Sequence, residues 1–333
     1  MDIISEWAKN LDLDISTLKT TVMLFSPSTH EHRYHPQVAV GNSFLPLAQH
    51  PKILGVNFDP LFTFTPHARE TAKGAAERLK VLTALSGTSW GQDAESLLVT
   101  YKALIRTKLD YGAPIWSPNL KPSAYGRLQA IQNAGLRLVT GSHKLASEVH
   151  LHSETKVLPV RTHAELLSAQ YLASALRDDH PANEPVKRPA RRRSKKETLK
   201  SRHINDVSPY LVNGSLPAGA YPETKSFLHT KFVEETIANQ GNHPLLAIPA
   251  PEIDKSETDL PRHHRATLSQ LRSGHCSRLR LYQHRINRSD SALCPHCGIN
   301  DESVHHIFHC PFFPTNLSVF DLWRSPVRVA TYS

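Results

Sequence analysis

Cys294-Pro295-His296-Cys297-Gly298, followed by Glu302-Ser303-Val304-His305-His306-Ile307-Phe308-His309-Cys310, is the stretch around which this chain is read. Two cysteines stand three positions apart, and a histidine and a third cysteine follow at the spacing of one helical turn. Structural Zn²⁺ takes thiolate and imidazole ligands tetrahedrally, drawn from pairs at short spacing. Gly298 permits the left-handed backbone that a metal-holding turn uses. In a helix over 303–310 each step rotates about 100°, so four steps return to one face. His306 and Cys310 then face one metal. His305 lies five steps from Cys310 and is the competing donor, and His309 is its direct neighbour and points elsewhere. The expected ligand set is Cys294, Cys297, His306 and Cys310, with Pro311 stopping the helix. Four filled positions make such a zinc structural and leave no open site for catalysis. The competing readings are a reduced buried cysteine pair and a redox Cys-x-x-Cys. The second needs a βαβ setting, and none is visible.

The composition sets bounds on the rest. A chain of 333 residues can hold roughly two or three compact units. No apolar run approaches the ~20 residues of a membrane helix, and the acidic, amphipathic start from Met1 to Trp7 lacks the basic region of a signal peptide. Three of the four cysteines lie in the metal stretch, and Cys276 is left over, which argues for a reducing compartment. The expected location is intracellular, in the cytoplasm or nucleus, without a membrane. A formal charge of +9 puts nucleic acid first among partners.

The fold class expected is α+β and mainly helical. Residues 1–65 read as one helix, with Ile3, Ile4, Trp7 and Leu11 as its stripe, and short β-type runs at Lys19–Phe25, Val38–Val40 and Ile53–Phe58. That is too little for an independent core. Residues 66–178 read as a bundle of four amphipathic helices. Their stripes run through Ala75 and Leu82, then Leu97, Tyr101 and Ile105, then Leu128 and Gly135, then Leu166, Ala169 and Ala173. Thr65-Pro66 and Asp93 read as caps, Thr162 with Glu165 as a capping box, and Gly141 as a stop. Residues 179–262 are rich in Pro and cations, including Arg191, Arg192, Arg193, Lys195 and Lys196, and read as a largely disordered linker able to bind phosphates. Residues 263–333 hold two Arg-rich helices, with Arg272, Arg278 and Arg280 as candidate phosphate contacts, broken at Gly274 and leading into the metal stretch.

Several motifs taken together resemble a known family. Lys19-Thr20 after Trp7 and Leu11, Ile53-Leu54-Gly55-Val56, Tyr101-Lys-Ala-Leu-Ile-Arg106, Leu109-Asp-Tyr111-Gly-Ala-Pro-Ile-Trp116 and Leu128-Gln-Ala-Ile-Gln132 look like the later part of a non-LTR retrotransposon reverse transcriptase of the jockey type. So does the ending, from Leu271-Arg-Ser-Gly274 through the Cys-Cys-His-Cys stretch to Trp323. The resemblance implies that 1–65 is the end of the palm, with Lys19 the late palm lysine. It implies that 66–178 is the thumb holding a template–primer duplex, and that the last unit is a zinc knuckle. Implied partners are RNA or DNA, meaning the element transcript and target DNA, together with a catalytic fragment of the same enzyme. Mg²⁺ belongs to the catalytic part alone, because two-metal phosphoryl transfer needs clamping carboxylates. Asp12, Asp14, Asp178 and Asp179 do not fall in the aromatic-Asp-Asp hairpin pattern of such enzymes. The expectation is a truncated, catalytically inactive member that retains nucleic-acid and zinc binding. The alternative is a zinc-containing adaptor derived from the element.

Overall fold

The computed structural model of the chain describes residues 2–26, 28–87, 90–188, 198–243, 245–299 and 304–332. Its N-terminal segment opens with α1 (Asp2–Lys9) and then makes two antiparallel hairpins. β1 (Ala39–Val40) pairs with β2 (Ser43–Phe44), and β3 (Lys52–Ile53) pairs with β4 (Val56–Asn57). Two expectations are corrected here. Ile53–Phe58 is not one strand but turns back on itself, with Leu54 and Gly55 at φ 46° and 83°. Two positive φ values match the strand twist in a two-residue hairpin turn. Lys19–Phe25 is not a strand either, and its one bridge joins Val22 to Leu47. A β-prone run without a longer neighbour has no ladder to fill, and Phe25 stacks on Phe62 instead, ring centroids 4.7 Å apart. Val56 enters the helical core, and the Tyr111 hydroxyl donates to the Leu54 carbonyl at 2.8 Å. The β3–β4 hairpin therefore shares the helices' core through Val56.

The bundle comprises α2 (Thr65–Leu85), α3 (Ala94–Tyr101), α4 (Thr107–Asp110), α5 (Ala113–Trp116), α6 (Pro122–Thr140), α7 (Glu148–Thr155) and α8 (Val160–Ala175). The expected stripes face inward: Ala75, Leu82, Leu97, Tyr101, Ile105 and Leu128 share one core. Gly135 lets α6 close on α3, because a Cβ there would stand 2.8 Å from the Tyr101 ring. A π turn at Lys102–Arg106 joins α3 to α4, and the extra residue it inserts changes which side chains face in. Arg106 is buried there and donates to Asp110 at 2.8 Å, to the Leu158 carbonyl at 3.0 Å and to Gln132. Asp93 caps α3 as expected, accepting from the Ser96 N–H at 2.8 Å. Two other caps differ. Thr65 lies inside α2, whose approach is held by Asp59 accepting from the Thr63 and Phe64 N–H groups at 2.9 and 2.6 Å. Thr162 and Glu165 lie inside α8, because the Pro159 carbonyl already accepts the first helical bond from His163 at 2.9 Å.

The segment expected to be largely disordered carries α9 (Asn183–Lys187), α10 (Leu199–Val207) and α11 (Tyr221–Gln240). α10 and α11 pack on α8, burying Val207, Leu228 and Phe232 against Leu166, Leu172 and Leu176. Apolar residues three and four apart supply that face, although the surrounding composition is polar. Thr198 and Ser201 cap α10 reciprocally, at 3.1 and 2.8 Å. Residues 189–197, the heart of the basic run, lie outside the described residues.

The C-terminal part holds α12 (Arg262–Arg272), α13 (Arg280–Arg285), α14 (His305–Phe308), α15 (Asp321–Arg324) and α16 (Pro326–Tyr332). Leu271, Leu279, Tyr282, Phe308, Leu322 and Trp323 close a separate core there. α12 ties that core to the bundle. Arg262 donates to the carbonyls of Ser86 and Gly87 after α2, and of Leu138 and Val139 in the last turn of α6. Carbonyls at helix ends have no intrahelical partner. Gly141 ends α6 at φ 71°, where a Cβ would stand 2.5 Å from that of Ala266. Arg272 is fully buried. Its guanidinium donates to Glu154 of α7 at 2.5 and 3.0 Å, to Glu257 at 2.7 and 2.9 Å, and to the Leu322 carbonyl at 2.8 Å. Beside it, Ser269 lies 3.2 Å from the His150 ring and 2.7 Å from the Ser142 hydroxyl.

Two outcomes are expected. Arg272→Met leaves two carboxylates buried without their cation and destabilises the protein by roughly 3–5 kcal/mol. Denaturant unfolding will show the loss, and limited proteolysis will show residues 263–332 freed first. The second concerns acid. Burial pushes the His150 imidazole down to about 4, with Glu154 opposing the shift and Arg272 adding to it. Burial also pushes the Glu154 carboxyl up, but Arg272 beside it more than offsets this and its pKa is lowered. Folded His150 binds its proton later than the unfolded chain does, so its contribution is lost as pH falls from 6.5 to about 4. That loss is on the order of 3 kcal/mol, and the Glu154 contribution begins to be lost below pH 4.5, as pH falls toward and through its lowered value. Unfolding free energy measured across pH 7 to 4 should decline, and His150→Gln should remove part of the slope.

Candidate metal centre and nucleic-acid interface

Cys294, Cys297 and Cys310 come together although sixteen positions separate the first from the last. Their sulfurs all lie within 4.8 Å of one another, and those of Cys294 and Cys310 are 3.7 Å apart. A Zn–S bond of about 2.3 Å gives a tetrahedral S···S edge of about 3.8 Å. The turn is built by its backbone. The Gly298 N–H donates to the Cys294 carbonyl at 2.9 Å, the Cys294 N–H donates to the Ile299 carbonyl at 2.7 Å, and Gly298 takes φ 71°. Cys294 and Cys310 are buried and Cys297 is half-buried. Burial pushes the Cys294 thiol up, but the N–H groups of Cys297 and His296 more than offset it and favour the thiolate. Burial holds the Cys310 thiol up, and sharing hydrogen bonds with the other two sulfurs adds to that.

The second half of the expected ligand pattern differs in detail. The helix expected over 303–310 spans His305–Phe308, so Cys310 lies two residues beyond its end. Val304 and Phe308 are buried in the C-terminal core and anchor this turn beside Cys310. The His306 and His305 side chains lie outside the described residues, and His309 is exposed. Three soft sulfur donors at this separation suit a thiophilic cation such as zinc.

The expected phosphate contacts scatter. Arg272 is corrected outright: its five N–H donors are consumed by Glu154, Glu257 and Leu322, and it faces no solvent. Arg278 is exposed, Arg280 is half-buried at the start of α13, and Lys19 is exposed in a turn at 17–19. Arg191, Arg192, Arg193, Lys195 and Lys196 lie outside the described residues. The fold brings together one cationic pair that the sequence does not announce. Lys52 of β3 and Lys108 of α4 both act on His67 of α2, whose pKa is lowered by burial, then by Lys108 and by Lys52. Glu70 shares the patch and pairs with Lys52 at 2.9 Å. No local signal joins positions 52 and 108, because their meeting depends on the hairpin docking on the bundle.

Among the described residues, the one group of three or more His, Cys, Asp or Glu side chains able to share an ion is the cysteine trio. Asp178 accepts from the Ser215 hydroxyl at 2.6 Å, and Asp179 pairs with Arg177 at 3.1 Å. Asp12 and Asp14 are exposed after α1. No helix among the described residues is long and apolar enough to cross a membrane.

Comparison with known proteins supplies the context. No protein-family model matches the chain, and no solved structure matches it. The chain is similar to the probable RNA-directed DNA polymerase from transposon X-element of Drosophila melanogaster, 27% identical over 187 residues, covering 53% of this chain and 20% of the relative. It is similar also to the probable RNA-directed DNA polymerase from transposon BS of the same species, 24% identical over 177 residues, covering 53% and 19%. The chain thus spans about a fifth of the length of the curated relatives it matches. About half of this chain is therefore a region related to the reverse transcriptases of non-LTR transposons.

Proposed function

We propose that this chain is the nucleic-acid-holding, non-catalytic part of a non-LTR retrotransposon reverse transcriptase of the jockey type. In this reading α2–α8 act as a thumb against a template–primer duplex, and the cysteine turn is a zinc knuckle that holds the element's transcript or target DNA. The carrying observation is the meeting of three thiols within 4.8 Å of one another, with Cys294 and Cys310 at 3.7 Å, in a basic chain similar over half its length to RNA-directed DNA polymerases. Cys294, Cys297 and Cys310 would hold the ion as thiolates, and His306 is the proposed fourth ligand. A bound zinc would supply a cross-link between the two ends of the turn and no chemistry of reaction. The exposed cations Lys19, Arg278 and Lys52, with the half-buried Lys108, supply charge for phosphates. Nucleotide joining needs carboxylates that clamp two Mg²⁺ ions, and among the described residues the cysteine trio is the one cluster of three or more His, Cys, Asp or Glu side chains able to share an ion.

Two measurements test the reading. The purified chain should carry one zinc per molecule by elemental analysis, and Cys294→Ser should release it and unfold the turn while α2–α8 keep their helical signal. It should bind primed RNA at low salt, with affinity falling steeply as salt rises, and incorporate no nucleotide when Mg²⁺ and deoxynucleotides are added. Incorporation by the purified chain would reject the non-catalytic assignment.

A further inference from the structure

The metal turn carries a second feature that its thiols do not use. Three aromatic rings stand at its surface: His296 between the first two cysteines, and Phe312 and Phe313 after Cys310-Pro311. His296 meets Phe313 edge to face with centroids 4.8 Å apart, and its ring lies 6.2 Å from that of Phe312. Phe312 is 64% exposed and Phe313 is 40% exposed. The Phe313 N–H donates to the Cys310 carbonyl at 3.0 Å, so the rings are held by the same backbone that presents the third thiol. Burying one phenylalanine is worth roughly 1.5–3 kcal/mol, and Phe312, 64% exposed on a turn held by backbone bonds, is open to contact.

The segment leading into the turn indicates what covers them. Arg278, Arg285 and Arg288 are exposed and make no ion pair among the described residues. Asp290 is the one acidic residue between 277 and 299. His284 bonds the Ser289 carbonyl at 3.0 Å, which folds the loop bearing Arg285 and Arg288 into a compact lead-in ending five residues before Cys294. An apolar protein partner would leave these guanidinium groups desolvated without anions. A polyanion satisfies them, and only a polyanion with unpaired bases also offers flat apolar faces to the rings. A duplex keeps its base faces stacked inside.

We propose that Phe312, with His296 and Phe313 behind it, is a stacking platform for unpaired bases of single-stranded nucleic acid, and that Arg278, Arg285 and Arg288 hold the phosphates alongside. This deepens the function proposed above and rests on it. Because every base has a π-face, the platform is tolerant of sequence.

The test uses the full, zinc-loaded chain with labelled oligo(dT), oligo(U) and a duplex of equal length, read by fluorescence anisotropy. Phe312→Ala should weaken both single strands about five- to a hundredfold, leave duplex binding and zinc content unchanged, and be rescued by Phe312→Trp. Equal binding of single strands by the parent and Phe312→Ala would overturn the platform alone, and so would an equal loss on the duplex. A Phe312→Ala chain that keeps its single-strand affinity but loses self-association would assign the rings to a contact between copies. A parent chain that binds none of the three probes at low salt would overturn the proposed function as well.

Discussion

One guanidinium holds the two halves of this protein in register. Arg272 has five N–H donors, and all five are taken: by Glu154 from α7, by Glu257 from the turn before α12, and by the Leu322 carbonyl of α15. Three segments separated by up to 168 positions, from 154 to 322, therefore meet at one buried cation. A buried ion pair adds little net stability over a well-packed apolar substitute, because both charges must leave water. Its force lies in intolerance: any arrangement of α12 that misplaces one carboxylate leaves a charge uncompensated in a low-dielectric interior. The angle of α12 against the bundle is thus specified and not merely favoured. Arg262 at the other end of the same helix, bonded to open carbonyls at the ends of α2 and α6, fixes its second point.

The rest of the C-terminal part follows from that helix. Leu268 and Leu271 on α12 begin the second core, and Val304 and Phe308 complete it next to Cys310. The cysteine turn is thereby held to the bundle through packed side chains and not by a loose tether. For a protein read as gripping a duplex with its helices and a single strand with its metal turn, this matters. In the proposed function such packing would set the distance between the two contacts and let one nucleic acid engage both without the entropy cost of ordering a linker.

Much of this was legible locally. The inward stripes of α2, α3, α6 and α8, the Asp93 cap, the Gly141 stop and the break at Gly274 obey periodicities and caps spanning a few residues. The misreadings share a cause. Ile53–Phe58 has strand composition, but Leu54 and Gly55 turn it into a hairpin, and the turn is worthwhile only because Val56 finds the bundle. α10 and α11 sit in a stretch whose Pro, Asn and cation content suggests disorder, yet Val207, Leu228 and Phe232 bury against α8. Composition averages over a window, whereas packing depends on a few positions meeting a surface supplied from elsewhere.

The sequence by itself determined where the helices run, that two cysteines flank a Gly-closed turn, and that a third belongs with them, because each rests on short spacing along one backbone. Only the tertiary structure decided what each arginine is for. Arg272 and Arg278 are six residues apart and chemically identical, yet one is buried between carboxylates and the other faces water. Side-chain chemistry states only that a group is charged. Whether that charge meets a carboxylate inside or a phosphate outside depends on which distant segments fold over it.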